Sequence, residues 1–290
     1  MVNVINTISD RQNKKDLLNL QFCARYLYDT ATVLNIISWI CCVIITIIIP
    51  LLSDTLGITK YLIAAVINTI FLVVDLVANR YIKIGAAYKM RFDYVLFQFL
   101  DREKYHGYTM DELRGKAAVI IRRHPKKHIQ EITHNGTTKP KGVKDWYVSI
   151  PSNINHEEAV KRCQEQNGFF DKTIMKYSWW VFVSFILIGI GIFVAVNHNK
   201  DLLTSSLIFL SGFALIKKII TETYSFVKVY YTNVFADWVK TEPDISPMLK
   251  QKIIDERRTR NVFATSLIYN IISKSLHSTI KAKEKVLKEE

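Results

Sequence analysis

The chain has 290 residues, 39 of them Lys or Arg and 26 Asp or Glu, for a formal net charge of +13. Its 49% hydrophobic content matches an ordinary soluble protein, yet the apolar residues are concentrated in four dense blocks, which argues against a soluble core spread evenly along the chain. The four cysteines, Cys23, Cys41, Cys42 and Cys163, form no CxxC pair, so neither a disulfide framework nor a zinc site is indicated.

The chain opens on a charged stretch. Asp10, Arg11, Lys14, Lys15, Asp16, Arg25 and Asp29 fall within the first 34 residues, with no short apolar core ahead of a small-residue cleavage site. The first apolar block is therefore expected to act as its own insertion signal. Asn13-Lys14-Lys15-Asp16 pairs an N-cap residue with an acid three places on, which predicts a helix from Asn13. Leu17, Leu20, Ala24 and Leu27 give it an apolar stripe, and it is expected to feed straight into the first span.

The four blocks are Ile36–Leu52, Tyr61–Ala78, Trp179–Val196 and Leu202–Ile216. A transmembrane helix needs about 17–25 predominantly apolar residues. The first three blocks qualify alone, and the fourth needs Lys217 and Lys218 to snorkel. Four buried helices of a soluble protein are the competing account. Such helices rarely lack charge over a bilayer's thickness, and the blocks hold one ionised residue, Asp75.

The charges orient the spans. Lys and Arg number four before the first block, one in the turn 53–60, nineteen in 79–178, one in the turn 197–201 and fourteen in 217–290. By the positive-inside rule the 37 on one side mark the cytosol, and both short turns face out. The cytosolic side then carries a net charge of +14, which suits anionic lipid head groups and leaves room for a polyanionic ligand.

Within the spans, Ala64, Asn68, Asp75 and Asn79 share one face of the second, since steps of seven and four return close to the same angle. An intramembrane carboxylate marks a functional position unless the helix end lets it reach water or a neighbour such as Arg80. Asn68 and Asp75 are the candidate membrane-path residues. Ser38, Cys42 and Thr46 align on the first span, and Thr204, Ser205, Ser211 and Gly212 on the fourth. Close helix packing is their favoured use over a conducting path.

Between the hairpins, helical periodicity continues over Arg80–Leu100 and residues 111–123 read as a short helix. His124 to Glu158 reads as loop, broken by Pro125, Gly136, Pro140, Gly142 and Pro151. Helix resumes at about His156 and runs to the third span. The fourth span continues into Ile220–Val239, and Met248–Val286 reads as one long helix or two, its stripe interrupted at Asp255–Asn261. Gln12-Asn13 and Gln166-Asn167 each precede a hairpin, a faint sign of duplication.

The densest positive charge is Arg122-Arg123-His124-Pro125-Lys126-Lys127-His128. Arg122, Arg123, Lys126 and Lys127 are candidates for an anion or phosphate site, or for a solvated or lipid-facing patch. His124 and His128 have zinc-like spacing, but Pro125 and the want of a third ligand argue against a metal. Trp146 and Tyr147 are candidate stacking residues for a nucleobase, or anchors of the loop on the helices. No GxxxxGK[ST], HExxH or GxSxG motif occurs, so no enzyme and no cofactor are expected.

These residues together resemble the SMODS-associated four-transmembrane effectors of bacterial anti-phage signalling. The similarity rests on Arg11-Gln12-Asn13 and Ala24-Arg25-Tyr26-Leu27-Tyr28, then Ala86-Ala87, Phe92-Asp93 and Leu96-Phe97. Asp145-Trp146-Tyr147 follows in the loop, and Cys163-Gln164, Gln166-Asn167, Asp171 and Tyr177 precede the third span. The resemblance covers nearly the whole chain. It implies a membrane effector of a cyclic-oligonucleotide (CBASS-type) system, functionally linked to a cyclic-nucleotide synthase, that senses a cyclic oligonucleotide messenger and compromises the inner membrane.

The resulting expectation is an all-α membrane protein with four transmembrane helices in two hairpins, extended into a mostly helical cytosolic part. Its divisions are an N-terminal cytosolic helix (1–34), a first hairpin (35–78), a cytosolic domain (79–178), a second hairpin (179–220) and C-terminal cytosolic helices (221–290). Its expected partners are the bilayer, the messenger and further copies of itself, with no DNA or RNA, and both termini cytosolic. An unrelated ion channel or transporter subunit, or a non-conducting scaffold, are the alternatives.

Overall fold

A computed structural model describes residues 7–49, 57, 59–198, 213–241, 246–260 and 262–289. The described residues are helical, with two isolated bridges and no strand. In chain order the helices are α1 (Ile8–Arg11), α2 (Lys15–Val43, continued by a π-helical stretch Ile44–Ile48), α3 (Thr59–Leu96), α4 (Met110–Arg123) and α5 (Pro125–Thr133). They are followed by α6 (His156–Asn197), α7 (Phe213–Thr241), α8 (Pro247–Arg258) and α9 (Thr265–Glu289).

Three of the described helices are long and apolar enough to cross a membrane: Lys15–Ile48, Thr59–Leu96 and His156–Ala195. They expose apolar side chains along their length, among them Leu62, Val66 and Leu76 on α3 and Leu187, Ile188 and Val194 on α6. Lipid solvates such a surface and water does not. Most of the fourth block, Leu202–Ile216, lies outside the described residues, and so do Thr204, Ser205, Ser211 and Gly212. The boundaries expected on the charged side, at 34/35, 78/79, 178/179 and 220/221, each fall inside an unbroken helix, so α2, α3, α6 and α7 carry their axes from the apolar blocks directly into the charged part.

Local chemistry explains the ends. Asn13 does not cap α2: Lys14 holds the N-cap position without a side-chain bond, because the Asn13 side chain is engaged with Asp145 instead. Thr109 and Glu112 form a full capping box on α4, and Asn155 caps α6. Helix α3 stops at Leu96 rather than Leu100, and Gln98 follows at φ 56°. The stretch expected to be loop contains α5, where Pro125 stands in the first turn; there its missing N–H costs no hydrogen bond and its fixed φ suits a helix. The C-terminal stretch is two helices, parted where Ala264 takes φ 56°.

The core sits where α2 and α3 pack side by side. Ala24, Ala86 and Ala87 are fully buried there, and a Cβ on Gly85 would meet the Tyr28 ring at 3.3 Å and the Ala24 carbonyl at 3.4 Å. Small residues are what let the two backbones approach this closely. Phe22, Tyr88, Phe92, Leu113 and Tyr147 extend this core below the helix pair. A second apolar cluster lies level with the first residues of the third block, where Trp39 meets Phe182, Phe185 and Phe263 at 5.2–6.0 Å. Ser38, Cys42 and Thr46 are all buried, with Cys42 against Phe71 and Ala214.

Candidate functional site

The loop segment Asp145–Val148 is held by the two Gln-Asn dipeptides in matching fashion. Gln12 donates to the Tyr147 carbonyl at 3.0 Å and accepts from its N–H at 2.8 Å. Gln166 does the same to Val148, at 2.7 and 3.1 Å. Asn13 exchanges two bonds with Asp145, and Asn167 donates to the Tyr147 hydroxyl at 2.8 Å. Arg25 adds a bond to the Gly142 carbonyl at 2.9 Å.

Beneath this loop lies a network of buried charge. Asp93 is fully buried and accepts from the Tyr147 hydroxyl at 2.8 Å, Gln251 at 2.9 Å and Arg258 at 2.7 Å. Arg257 pairs with Asp171. Burial raises the Asp255 pKa to about 7, against the pull of Arg258. Burial works against the Arg258 charge too, but Asp93, Tyr147 and Asp255 outweigh it and hold that guanidinium firmly protonated. Lys89 is pushed the other way, well below its ordinary value, by burial and by Arg258. Its amino group bonds Gln21 and rests 3.4 Å from the centre of the Trp146 ring.

A cavity of about 180 Å³ opens among these groups, walled by α2, α3, α6, α7, α8, α9 and Trp146. Arg25, Lys89, Arg257, Arg258 and Arg260 line it, against Asp29 and Asp171. Four of its lining groups, Arg25 Nε, Trp146 Nε1, Arg257 Nε and the Tyr269 hydroxyl, are buried without a hydrogen-bond partner among the described residues. All four can donate. Of these, Arg25 Nε still lies 3.7 Å from the Glu131 carboxylate and 3.9 Å from that of Asp29; it is the excess of four arginines and Lys89 over two carboxylates in the lining that suits the cavity to an oxyanion.

The residues singled out from sequence are dispersed. Arg122, Arg123 and Lys126 are exposed around the α4–α5 junction, and Lys127 packs over the Tyr26 ring and lies 3.6 Å from Glu131. None of the four lines the cavity. His124 bonds the Tyr26 hydroxyl and His128 bonds Asn19. Tyr147 is buried with its hydroxyl shared between Asp93 and Asn167, so it offers no free ring face. Trp146 does line the cavity, but Lys89 covers one part of its ring system and Tyr269 stacks on it at 5.9 Å.

Asp75 pairs with Lys218, not with Arg80, at 2.6 Å. Lys218 accordingly does not snorkel: it is 6% exposed and also lies 3.8 Å from Glu222, which accepts from Asn35 at 3.0 Å. Asn79 reaches Asp75 at 3.4 Å, and Asn68 is half-buried one face-repeat away.

Sequence reasoning passed over Lys89, Arg257 and Arg258 as site residues. The signals were present: Lys89 interrupts the buried run Ala86-Ala87-Tyr88-Met90, and Arg257-Arg258 fall in the polar break of an otherwise apolar stripe.

The SMODS-associating 4TM effector domain matches residues 6–212. That stretch includes every helix from α1 to α6, both Gln-Asn dipeptides and the loop they hold. No curated protein and no solved structure matches the chain.

Proposed function

Because the chain belongs to the SMODS-associating 4TM effector family, we propose that it is a bacterial inner-membrane effector that detects a cyclic oligonucleotide messenger and then permeabilises the bilayer to stop phage replication. The family name ties it to a cyclic-nucleotide synthase system. The reading assigns it no reaction of its own.

One observation supports the sensing half: a cavity lined by four arginines and Lys89 against two carboxylates, set where the long helices leave the apolar blocks. A phosphodiester brings several strong acceptors and a negative charge, and each guanidinium–phosphate bond is of the charge-assisted kind. Lys89 supports the same reading, since an arriving anion favours its charged form. At about 180 Å³ the cavity is smaller than the roughly 300–1,000 Å³ of a typical small-molecule site. It takes a phosphate and part of a sugar, so a whole cyclic messenger fits only if the walls part. Four of those walls, α2, α3, α6 and α7, are the helices that enter the bilayer, which is how binding would reach the membrane. The exposed Arg122, Arg123 and Lys126, with the half-buried Lys127 beside them, act before binding, by raising the local concentration of a polyanion.

The test is a thermal-shift screen of cyclic di- and trinucleotides on purified protein, followed by dye release from liposomes. The active messenger should raise the melting temperature and trigger release. Tyr269→Phe, which removes only one unpaired hydroxyl, and Arg257→Met should weaken binding. The fourfold Gln variant at 122, 123, 126 and 127 should mainly reduce its salt dependence. If no cyclic oligonucleotide shifts any form of the protein, the sensing reading fails. Orientation has its own check: an impermeant thiol reagent on whole cells should label cysteines placed at Ser53 or Asn199, and not at Asn135 or Lys283.

A further inference from the structure

Helix α7 carries on its outer face a pattern used by neither the cavity nor the membrane-level contacts. Ile220, Tyr224, Val227, Tyr231, Val234 and Trp238 follow one another in alternating steps of four and three, and all are between 44% and 65% exposed. This is the 3.5-residue repeat of a coiled-coil seam, with rings at one core position and Ile or Val at the other. The opposite face is occupied, since Glu222, Phe226, Val229, Asn233 and Val239 are buried against the rest of the chain. An ordinary amphipathic helix has one apolar face, and α7 has two.

Lipid covers only the upper part of the seam. Phe226 packs on Trp179, the first residue of the third apolar block, at 5.2 Å. From there to Trp238 the helix runs about 18 Å further at 1.5 Å per residue, alongside the exposed Lys172–Asp237 pair. Tyr231, Val234 and Trp238 thus stand outside the hydrocarbon. With aromatic side chains of about 150–250 Å² each, the seam and the flanking Tyr230 and Phe235 offer roughly 700 Å² at these exposures. A standard interface takes about 800 Å² from each partner.

We propose that α7 is a self-association element whose seam packs on α7 of further copies of this chain. Copies in one bilayer hold their α7 helices parallel, which sets each seam residue against its own counterpart. The pattern tolerates that symmetry: no core position is charged, and Lys228 and Asp237 fall on the flanks. β-branched residues at Ile220, Val227 and Val234, the second core position, favour three or four strands over two. The inference rests on the α7 pattern alone and is independent of the messenger.

Cysteine cross-linking in native membranes tests it, because the four native cysteines are buried. Val227→Cys and Val234→Cys should each give covalent dimers on mild oxidation, several-fold above Ile129→Cys, a control at a 61% exposed position on α5. Mass photometry in detergent should find three or four chains, falling to one in Tyr231→Lys/Val234→Lys with an unchanged helical circular-dichroism spectrum. Seam cysteines that cross-link no better than the control, with a single-chain mass for the unaltered protein, would overturn the proposal. A two-chain mass would overturn the strand number.

Discussion

The Lys218 ammonium lies 2.6 Å from the Asp75 carboxylate and 3.8 Å from that of Glu222, and so joins α3 to α7 with one cation between two acids. The consequence is an asymmetry. Lys218→Met strands both carboxylates in a poorly solvated place and should cost about 3–5 kcal/mol, whereas Asp75→Leu leaves Lys218 with Glu222 and should cost about half as much. The double variant should recover much of the loss, since the cycle measures a coupled pair. Melting in detergent reads all three. Equal losses for the two single variants would mean that Glu222 does not share the cation.

Tyr147→Phe removes a hydroxyl that donates to Asp93 and accepts from Asn167, both buried. Two polar groups lose a partner at once, so the expected cost is about 2–3 kcal/mol, more than a solvent-facing hydroxyl would give. Denaturant unfolding of the purified protein checks it. A change under about 0.5 kcal/mol would place the phenol in contact with water.

Gly142 is fixed by space. A Cβ there would lie 1.8 Å from the His134 carbonyl oxygen and 2.4 Å from that of Glu131, backbone atoms that cannot step aside. Gly142→Ala should therefore displace the loop that carries Trp146, at a cost of roughly 4 kcal/mol or more. Limited proteolysis should cut the variant within 134–150 while leaving the unaltered loop intact. Gly115, with nothing within 4 Å of its Cβ position, is the matching control and should tolerate Ala.

Burial pushes the His277 pKa from 6.5 down to about 4, helped by Lys281 and Lys141. The unfolded chain takes up a proton near pH 6.5 that folded His277 refuses, so stability is lost as the pH falls from about 6.5 towards 4 and is unaffected above. By pH 4 this one group accounts for roughly 3 kcal/mol. His277→Phe keeps a ring against Phe170, now 5.2 Å away, and cannot ionise. The difference in unfolding free energy between the two proteins should be constant above pH 7 and shift in favour of the variant below pH 6. A difference independent of pH would place His277 in contact with solvent.

Apolar periodicity made most of the fold legible. Leu17, Leu20, Ala24 and Leu27 are buried as their spacing predicts, and the continuity of α2, α3 and α6 into the apolar blocks follows from unbroken helical patterns. Position-dependent chemistry was harder to read. Pro125 looks like a breaker until it is known to stand in the first turn of a helix, and Asn13 looks like a cap until Asp145 is beside it. The site was legible in part. Arg25, Asp93, Trp146 and Asp171 belong to stretches noticed along the chain, but no one-dimensional spacing brings Arg257 and Arg258 next to them. A dense basic run such as Arg122–Lys127 is conspicuous because its charges are adjacent in sequence, while the buried charges gather from four separate segments.

Gln12 and Gln166 hold consecutive residues of one loop from opposite sides, each through a closed pair of hydrogen bonds. One glutamine precedes the first membrane helix and the other belongs to α6, the helix that becomes the third, so Tyr147 and Val148 act as a rivet through both. Separating α2 from α6 breaks a two-bond ring as a unit, because half a ring leaves a buried amide unsatisfied. Parting the helices is therefore a step with a threshold, not a gradual spreading. A weak pull on the charged ends of α2 and α6 is resisted by both rings together, and only a pull strong enough to open a ring frees the loop from them.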